Sequence, residues 1–136
     1  MTDKYKVLIV DDKEEILCFL KRLLENETIE FETTKSAVDA FEKVKSDKYH
    51  LAIIDIDNPE MDGIELLKLI KSYDALAQVI MMTEHSTMDK ILSSLEYGAN
   101  DYIAEPLKNA ESVIKAVAYS FDKLERWRNA FVELVK

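Results

Sequence analysis

Glycine and proline are nearly missing from this chain of 136 residues, with two of each, so it contains no long flexible linker. It has one cysteine, Cys18, which excludes an internal disulfide and shows no metal-type spacing. Cys18 lies among apolar residues of a predicted helix, so a buried structural thiol is expected. No apolar run approaches the roughly 18 residues of a membrane span. Polar Thr2-Asp3-Lys4 lead straight into a predicted strand, with no signal-type apolar stretch. Positive charge is scarce: 18 bases face 27 acids, for a net charge of −9. That argues against direct binding of nucleic acid, which depends on Lys and Arg neutralising phosphates, and against anionic membrane surfaces. A cytoplasmic protein fits these absences. What remains, 48% hydrophobic and 33% charged residues, suits one globular domain that buries about two-thirds of its unfolded surface.

The chain is organised around Leu51–Gly63, LAIIDIDNPEMDG. Its apolar run is insulated from charge until Asp55, which reads as a strand buried on both faces. Similar runs are Tyr5–Val10, ending on Asp11 and Asp12, and Val79–Thr83, ending on a hydroxyl. Glu30–Thr34 alternates and reads as an edge strand, and Asp101–Ala104 as a short fifth strand before Glu105-Pro106. Helices are predicted between them. Lys13–Asn26 carries Ile16, Leu17, Leu20, Leu23 and Leu24, with Asp12 and Glu15 spaced as an N-cap and its reciprocal acid. Ser36 and Asp39 have the form of a second capping box, with Ala37, Ala40, Phe41 and Val44 as the stripe behind it. Gly63–Tyr73 turns Ile64, Leu67 and Ile70 inward. Ser86–Tyr97 does so with Met88, Ile91, Leu92 and Leu95, and stops at Gly98. A last helix starts near Asn109 and runs to Lys136. Five strands alternating with five helices over short connections call for an α/β doubly wound parallel sheet with helices on both faces. Asp11, Asp12, Asp55, Thr83 and Glu105 each stand just past a strand, so they are expected in one crevice. There is no internal repeat.

The succession VLIVDD, LAIIDIDNPEMDG, VIMMT and GANDYIAEP resembles the receiver domain of two-component response regulators. The resemblance covers residues 5 to about 122, with residues 123–136 left as the overhanging end of the last helix. It implies the flavodoxin-like strand order 2-1-3-4-5, which periodicity alone does not give. It further implies that Asp55 is the phosphoacceptor, a carboxylate nucleophile fed by a histidine kinase or phosphotransfer protein. Mg²⁺ or another divalent cation would be held by Asp11, Asp12, Asp55 and the backbone carbonyl of Asp57. Thr83 and Tyr102 would form the conformational switch. Apart from promoting its own phosphorylation and dephosphorylation, such a domain is a regulator and not an enzyme.

Three positions depart from the family. Glu105 stands where its members carry a lysine, and two like charges about 4 Å apart cost roughly 4 kcal/mol at an effective dielectric of 20. The expectation is a pocket that binds metal but couples poorly to the switch, unless Lys108 swings in as the cation. Glu84 adds bulk and charge after the threonine. His85 and Asp57 would flank the path of the hydrolytic water. His50 reads as a surface residue.

At about 1.5 Å per residue the last helix is longer than a small domain is wide. Ala110, Val113, Val117, Ser120, Leu124, Trp127, Phe131 and Leu134 keep a 3-4 spacing, that of a coiled-coil seam. Val117, Leu124, Trp127, Phe131 and Leu134 are therefore candidates for a homodimer seam or a connector to an output domain. Two rivals remain. One is a phosphorylation-independent receiver used for docking or dimerisation. The other is a phosphatase of the haloacid dehalogenase type, because Asp55-Ile56-Asp57 is a D-x-D. Pro59 stands where that family expects Thr or Val, and the D-x-D is not on the first strand.

Overall fold

A computed structural model describes residues 4–135. Strands and α-helices alternate: β1 (Tyr5–Val10), α1 (Glu14–Leu24), β2 (Ile29–Thr34), α2 (Ala37–Ser46), β3 (Leu51–Asp55) and α3 (Gly63–Tyr73), then β4 (Gln78–Thr83), α4 (Met88–Glu96), β5 (Asp101–Ala104) and, after a single 3-10 turn at Pro106–Lys108, α5 (Ala110–Leu134). The sheet is parallel with order β2-β1-β3-β4-β5, as the resemblance implied.

The interior strands are buried on both sides because side chains alternate across the sheet. Leu8, Val10, Ala52, Ile54, Val79 and Met81 meet α2 and α3 through Ala37, Ala40, Val44, Leu66, Leu67 and Ile70. On the opposite face, Val7, Ile9, Leu51, Ile53, Ile80 and Met82 meet α1 and α5. Each fully buried Leu or Ile is worth about 1.5–3 kcal/mol of transfer free energy, so β3 carries much of the core.

Several local expectations are corrected. Helix α1 begins after Lys13, whose side chain makes no cap bond. Asp11 Oδ1 instead accepts the Lys13 amide at 2.9 Å, so the Asp12–Glu15 capping box does not form. Ser36 caps α2 by accepting the Asp39 amide at 2.9 Å, but the Asp39 carboxylate turns away to the Thr34 hydroxyl at 2.8 Å. Cys18 is exposed, because Ile16, Leu17 and Leu20 take the inward arc of α1 and leave position 18 outside it. His50 is half-buried, and its Nδ1 accepts the Lys6 amide at 2.8 Å.

The largest correction concerns α4. Met88, Ile91, Leu92 and Leu95 face solvent, and Ser94 is its buried residue. This helix borders α3 and the four-residue strand β5, so it has no broad apolar sheet to lie on. Its end follows expectation: Gly98 at φ 91° closes it, with Gly98 N–H on Leu95 O and Ala99 N–H on Ser94 O, the Schellman pattern.

Helix α5 packs through Val113, Ala116, Val117, Ser120 and Leu124. Tyr5 fastens it further, stacking on Phe121 at 4.0 Å and donating its hydroxyl to Glu125 Oε2 at 2.5 Å. Val117 and Leu124 are thus core residues and are not free for a seam. Trp127, Phe131 and Leu134 are exposed beyond them. No helix among the described residues is long and apolar enough to cross a membrane.

Candidate functional site

Strand register builds the pocket. Val10 pairs with Ile54, so the next residues, Asp11 and Asp55, emerge side by side. Asp55 pairs in turn with Met82, which puts Thr83 one step beyond on the neighbouring strand. Carboxylate oxygens of Asp11, Asp12 and Asp55 lie within 4.8 Å of one another.

Asp55 is buried. Its Oδ1 accepts the Asp57 amide at 3.1 Å, whereas its Oδ2 is buried with no hydrogen-bond partner. An ionised oxygen left unpaired inside a protein is costly, and burial raises the Asp55 pKa above its ordinary value. Asp11 is pushed up to about 7, first by burial and then by the Asp55 and Asp12 charges, against the lowering effect of the Lys13 amide. Three crowded acids with an unpaired inward oxygen fit a hard divalent cation, which takes carboxylate oxygens and neutralises them.

Behind Asp55 the chain is held by a close approach. Gly63 N–H donates to Ile56 O at 2.8 Å. A Cβ at Gly63 would stand 2.5 Å from both the Asp55 carbonyl oxygen and Ile56 Cα. Asp62 caps α3 by accepting the Ile64 amide at 2.8 Å. Buried Asn58 ties the intervening loop to Lys35 O at 3.0 Å, and Glu60 accepts the Ser36 hydroxyl and the Val38 amide.

On the other side of the pocket, Thr83 Oγ1 donates to Asp57 Oδ2 at 2.7 Å and accepts the His85 amide at 3.1 Å. Tyr102 shares a hydrogen bond with Ser86 at 2.9 Å. Lys90, not singled out from the sequence, places Nζ 3.0 Å from Asp57 Oδ1, 2.7 Å from His85 O and 3.5 Å from Thr83 Oγ1. Burial works to raise Asp57, but the Thr83 and Lys90 hydrogen bonds and the Lys90 charge outweigh it and hold the carboxyl below its usual range. The signal for Lys90 was its place as the third residue of α4, since helical side chains lean back toward the N-terminus.

The atypical positions fall differently. Glu84 is half-buried, and its Oε1 is buried without a partner. Its charge acts on Lys13, together with those of Asp11, Asp12 and Asp55. Glu105 is exposed, in the left-handed region at φ 46°, and pairs with Lys108 at 3.3 Å. The expected clash is not seen: Glu105 is exposed, the charges that act most on Asp55 are those of Lys13, Asp57 and Asp12, and Lys108 is engaged at Glu105.

Comparison with known proteins agrees with this geometry. The model of the response regulator receiver domain matches residues 7–118. The alkaline phosphatase synthesis transcriptional regulatory protein PhoP of Bacillus subtilis is 33% identical over 107 residues, 78% of this chain and 44% of that protein. The chain spans less than half the length of the curated relatives it matches first. Among solved structures, the CheY-like receiver domain protein of Methanospirillum hungatei superposes with TM-score 0.85 at 31% identity, covering 91% of this chain and 98% of that one. The beryllofluoride-activated NtrC4 receiver domain dimer gives TM-score 0.81 at 27% identity, with 88% and 98% covered.

Proposed function

This chain belongs to the response regulator receiver domain family, a regulatory signalling module of two-component systems, and from that premise we propose that Asp55 is its phosphoacceptor. The observation that carries the reading is the Asp55 carboxylate: its Oδ2 is buried and unpartnered, and one of its oxygens lies within 4.8 Å of oxygens of Asp11 and Asp12. A phosphohistidine of a histidine kinase or phosphotransfer protein is the donor. One Asp55 oxygen attacks phosphorus, forming the acyl phosphate P–O bond. The P–N bond to imidazole breaks, and the leaving nitrogen keeps the electron pair and takes a proton from solvent. Asp11 and Asp12, with Asp55 and the Asp57 carbonyl, would hold Mg²⁺, which supplies charge neutralisation at the phosphoryl oxygens. The chain's own residues do the rest. Burial on β3 fixes the nucleophile, Gly63 sets its depth, and Thr83 must leave Asp57 to meet a phosphoryl oxygen. Tyr102 then exchanges its bond with Ser86, which couples the pocket to α4 and β5.

In this reading the receiver body ends near residue 122, and the segment from residue 123 onward carries output. Trp127, Phe131 and Leu134, all exposed on one stripe, form a homodimer seam or continue into an output domain, in the cytoplasm. The same stripe favours the second reading, a docking module that needs no phosphate. Incubation with acetyl phosphate and Mg²⁺ followed by intact mass separates the two. The wild type gains one phosphoryl group and Asp55→Asn gains none. A wild type that gains nothing overturns the phosphoacceptor reading.

A further inference from the structure

Three lysines stand near the pocket, and their surroundings differ. Lys108 is far out in solvent and pairs with Glu105. Lys13 is half-exposed and lies 3.8 Å from Asp12, on the side of the acid cluster. Lys90 is the most enclosed of the three, with 23% of its side chain exposed, and lies on the Thr83 side. Its ammonium uses three acceptors around one point: the Asp57 carboxylate, the His85 carbonyl and the Thr83 hydroxyl. Resting on the reading of Asp55 as phosphoacceptor, we propose that Lys90 of α4 is the charge-compensating cation of the pocket, the part that Glu105 is unable to play.

Transfer to Asp55 adds negative charge beside Thr83. As Thr83 turns from Asp57 to the phosphoryl group, Lys90, 3.5 Å from that hydroxyl, follows the charge, since an ammonium on a flexible stem reaches several acceptors with little reorganisation. The cation therefore comes from a helix and not from the loop after β5. Its movement pulls directly on the first turn of α4, where Thr87 Oγ1 accepts the Lys90 amide.

The test compares Lys90→Met, Lys90→Arg, Lys13→Met and Lys108→Met in the full chain, with acetyl phosphate and Mg²⁺ and intact mass as readout. Folding of each is checked by circular dichroism. Lys90→Met is expected to slow phosphorylation by about tenfold or more, less than the roughly hundredfold lower end for loss of an enclosed oxyanion donor, because the Lys90 side chain keeps 23% of its surface in water. Lys90→Arg restores it to within about threefold, and Lys108→Met leaves it unchanged. A second readout needs no phosphate: amide exchange across residues 84–90 rises in Lys90→Met and returns in Lys90→Arg. Wild-type rates in Lys90→Met overturn the proposal while leaving the phosphoacceptor reading intact. So do an equal loss in Lys90→Arg, and a loss confined to Lys13→Met or Lys108→Met. A wild type that takes no phosphate overturns both.

Discussion

Asp11→Asn will stabilise the metal-free protein at pH 8, although it removes a charged residue from the centre of the site. The Asp11 carboxyl rises from an ordinary value of 3.8 to about 7, with burial the largest cause. One pKa unit is about 1.4 kcal/mol, so keeping this charge buried costs up to about 4 kcal/mol once it ionises. The direction follows from which state holds the proton. Below about pH 4 the carboxyl is protonated whether folded or unfolded, and there is no penalty. Between about 4 and 7 the unfolded chain loses its proton first and draws the equilibrium toward itself. Above 7 the penalty is complete and constant. Asparagine keeps an oxygen for the Lys13 amide, now accepted at 2.9 Å, and relieves Asp55 of a like charge. The expected gain in urea unfolding followed by circular dichroism is about 2–4 kcal/mol at pH 8 in EDTA, fading toward zero at pH 4. Saturating Mg²⁺ narrows the gap, because it stabilises the wild type by mass action and the variant less. A variant no more stable than wild type at pH 8 in EDTA refutes the account of the site as crowded, desolvated acids.

Two further outcomes follow. Gly63→Ala forces a methyl to within 2.5 Å of the Asp55 carbonyl and Ile56 Cα. It is expected to lower unfolding free energy by about 1–3 kcal/mol, as overpacking does, and to slow phosphorylation of Asp55 by displacing it; unaltered urea midpoint and rate would count against the close approach. Trp127→Ala with Phe131→Ala changes exposed residues, so stability should move by less than about 0.5 kcal/mol, while sedimentation reports loss of any dimer.

What was legible in the sequence was whatever periodicity and insulation from charge encode. Leu51–Ile54 could be read as a two-sided strand because no water-facing residue interrupts it, and Asp55 then had to stand at its end. Gly98 marked the end of α4 because its left-handed geometry suits glycine. The failures share one cause: a stripe shows that a helix has an apolar side and not which surface is there to receive it. Helix α4 has Met88, Ile91, Leu92 and Leu95 at helical spacing, yet only narrow β5 and α3 beside it, so the stripe faces outward. Cys18 was misjudged from its neighbours' composition, when its angle on the helix decided its exposure. Lys90 was missed because a cation's partners across 33 residues of chain, as with Asp57, are set by the crossover of β4 and α4 and not by local pattern. Glu105 was expected to face Asp55, but it is exposed and pairs locally with Lys108.

The placement of Trp127 has an optical consequence. It is the chain's single tryptophan, half in water on the overhang of α5 and beyond Leu124, the last side chain of that helix buried on the domain. Its emission is therefore that of a wetted indole in the folded monomer and changes little when the sheet unfolds. A blue shift on raising the concentration or adding phosphodonor reports that another surface has covered the overhang. The protein thus separates its two signals by chromophore, with tyrosines Tyr5, Tyr49 and Tyr102 in or beside the fold reporting its integrity and the lone indole reporting company.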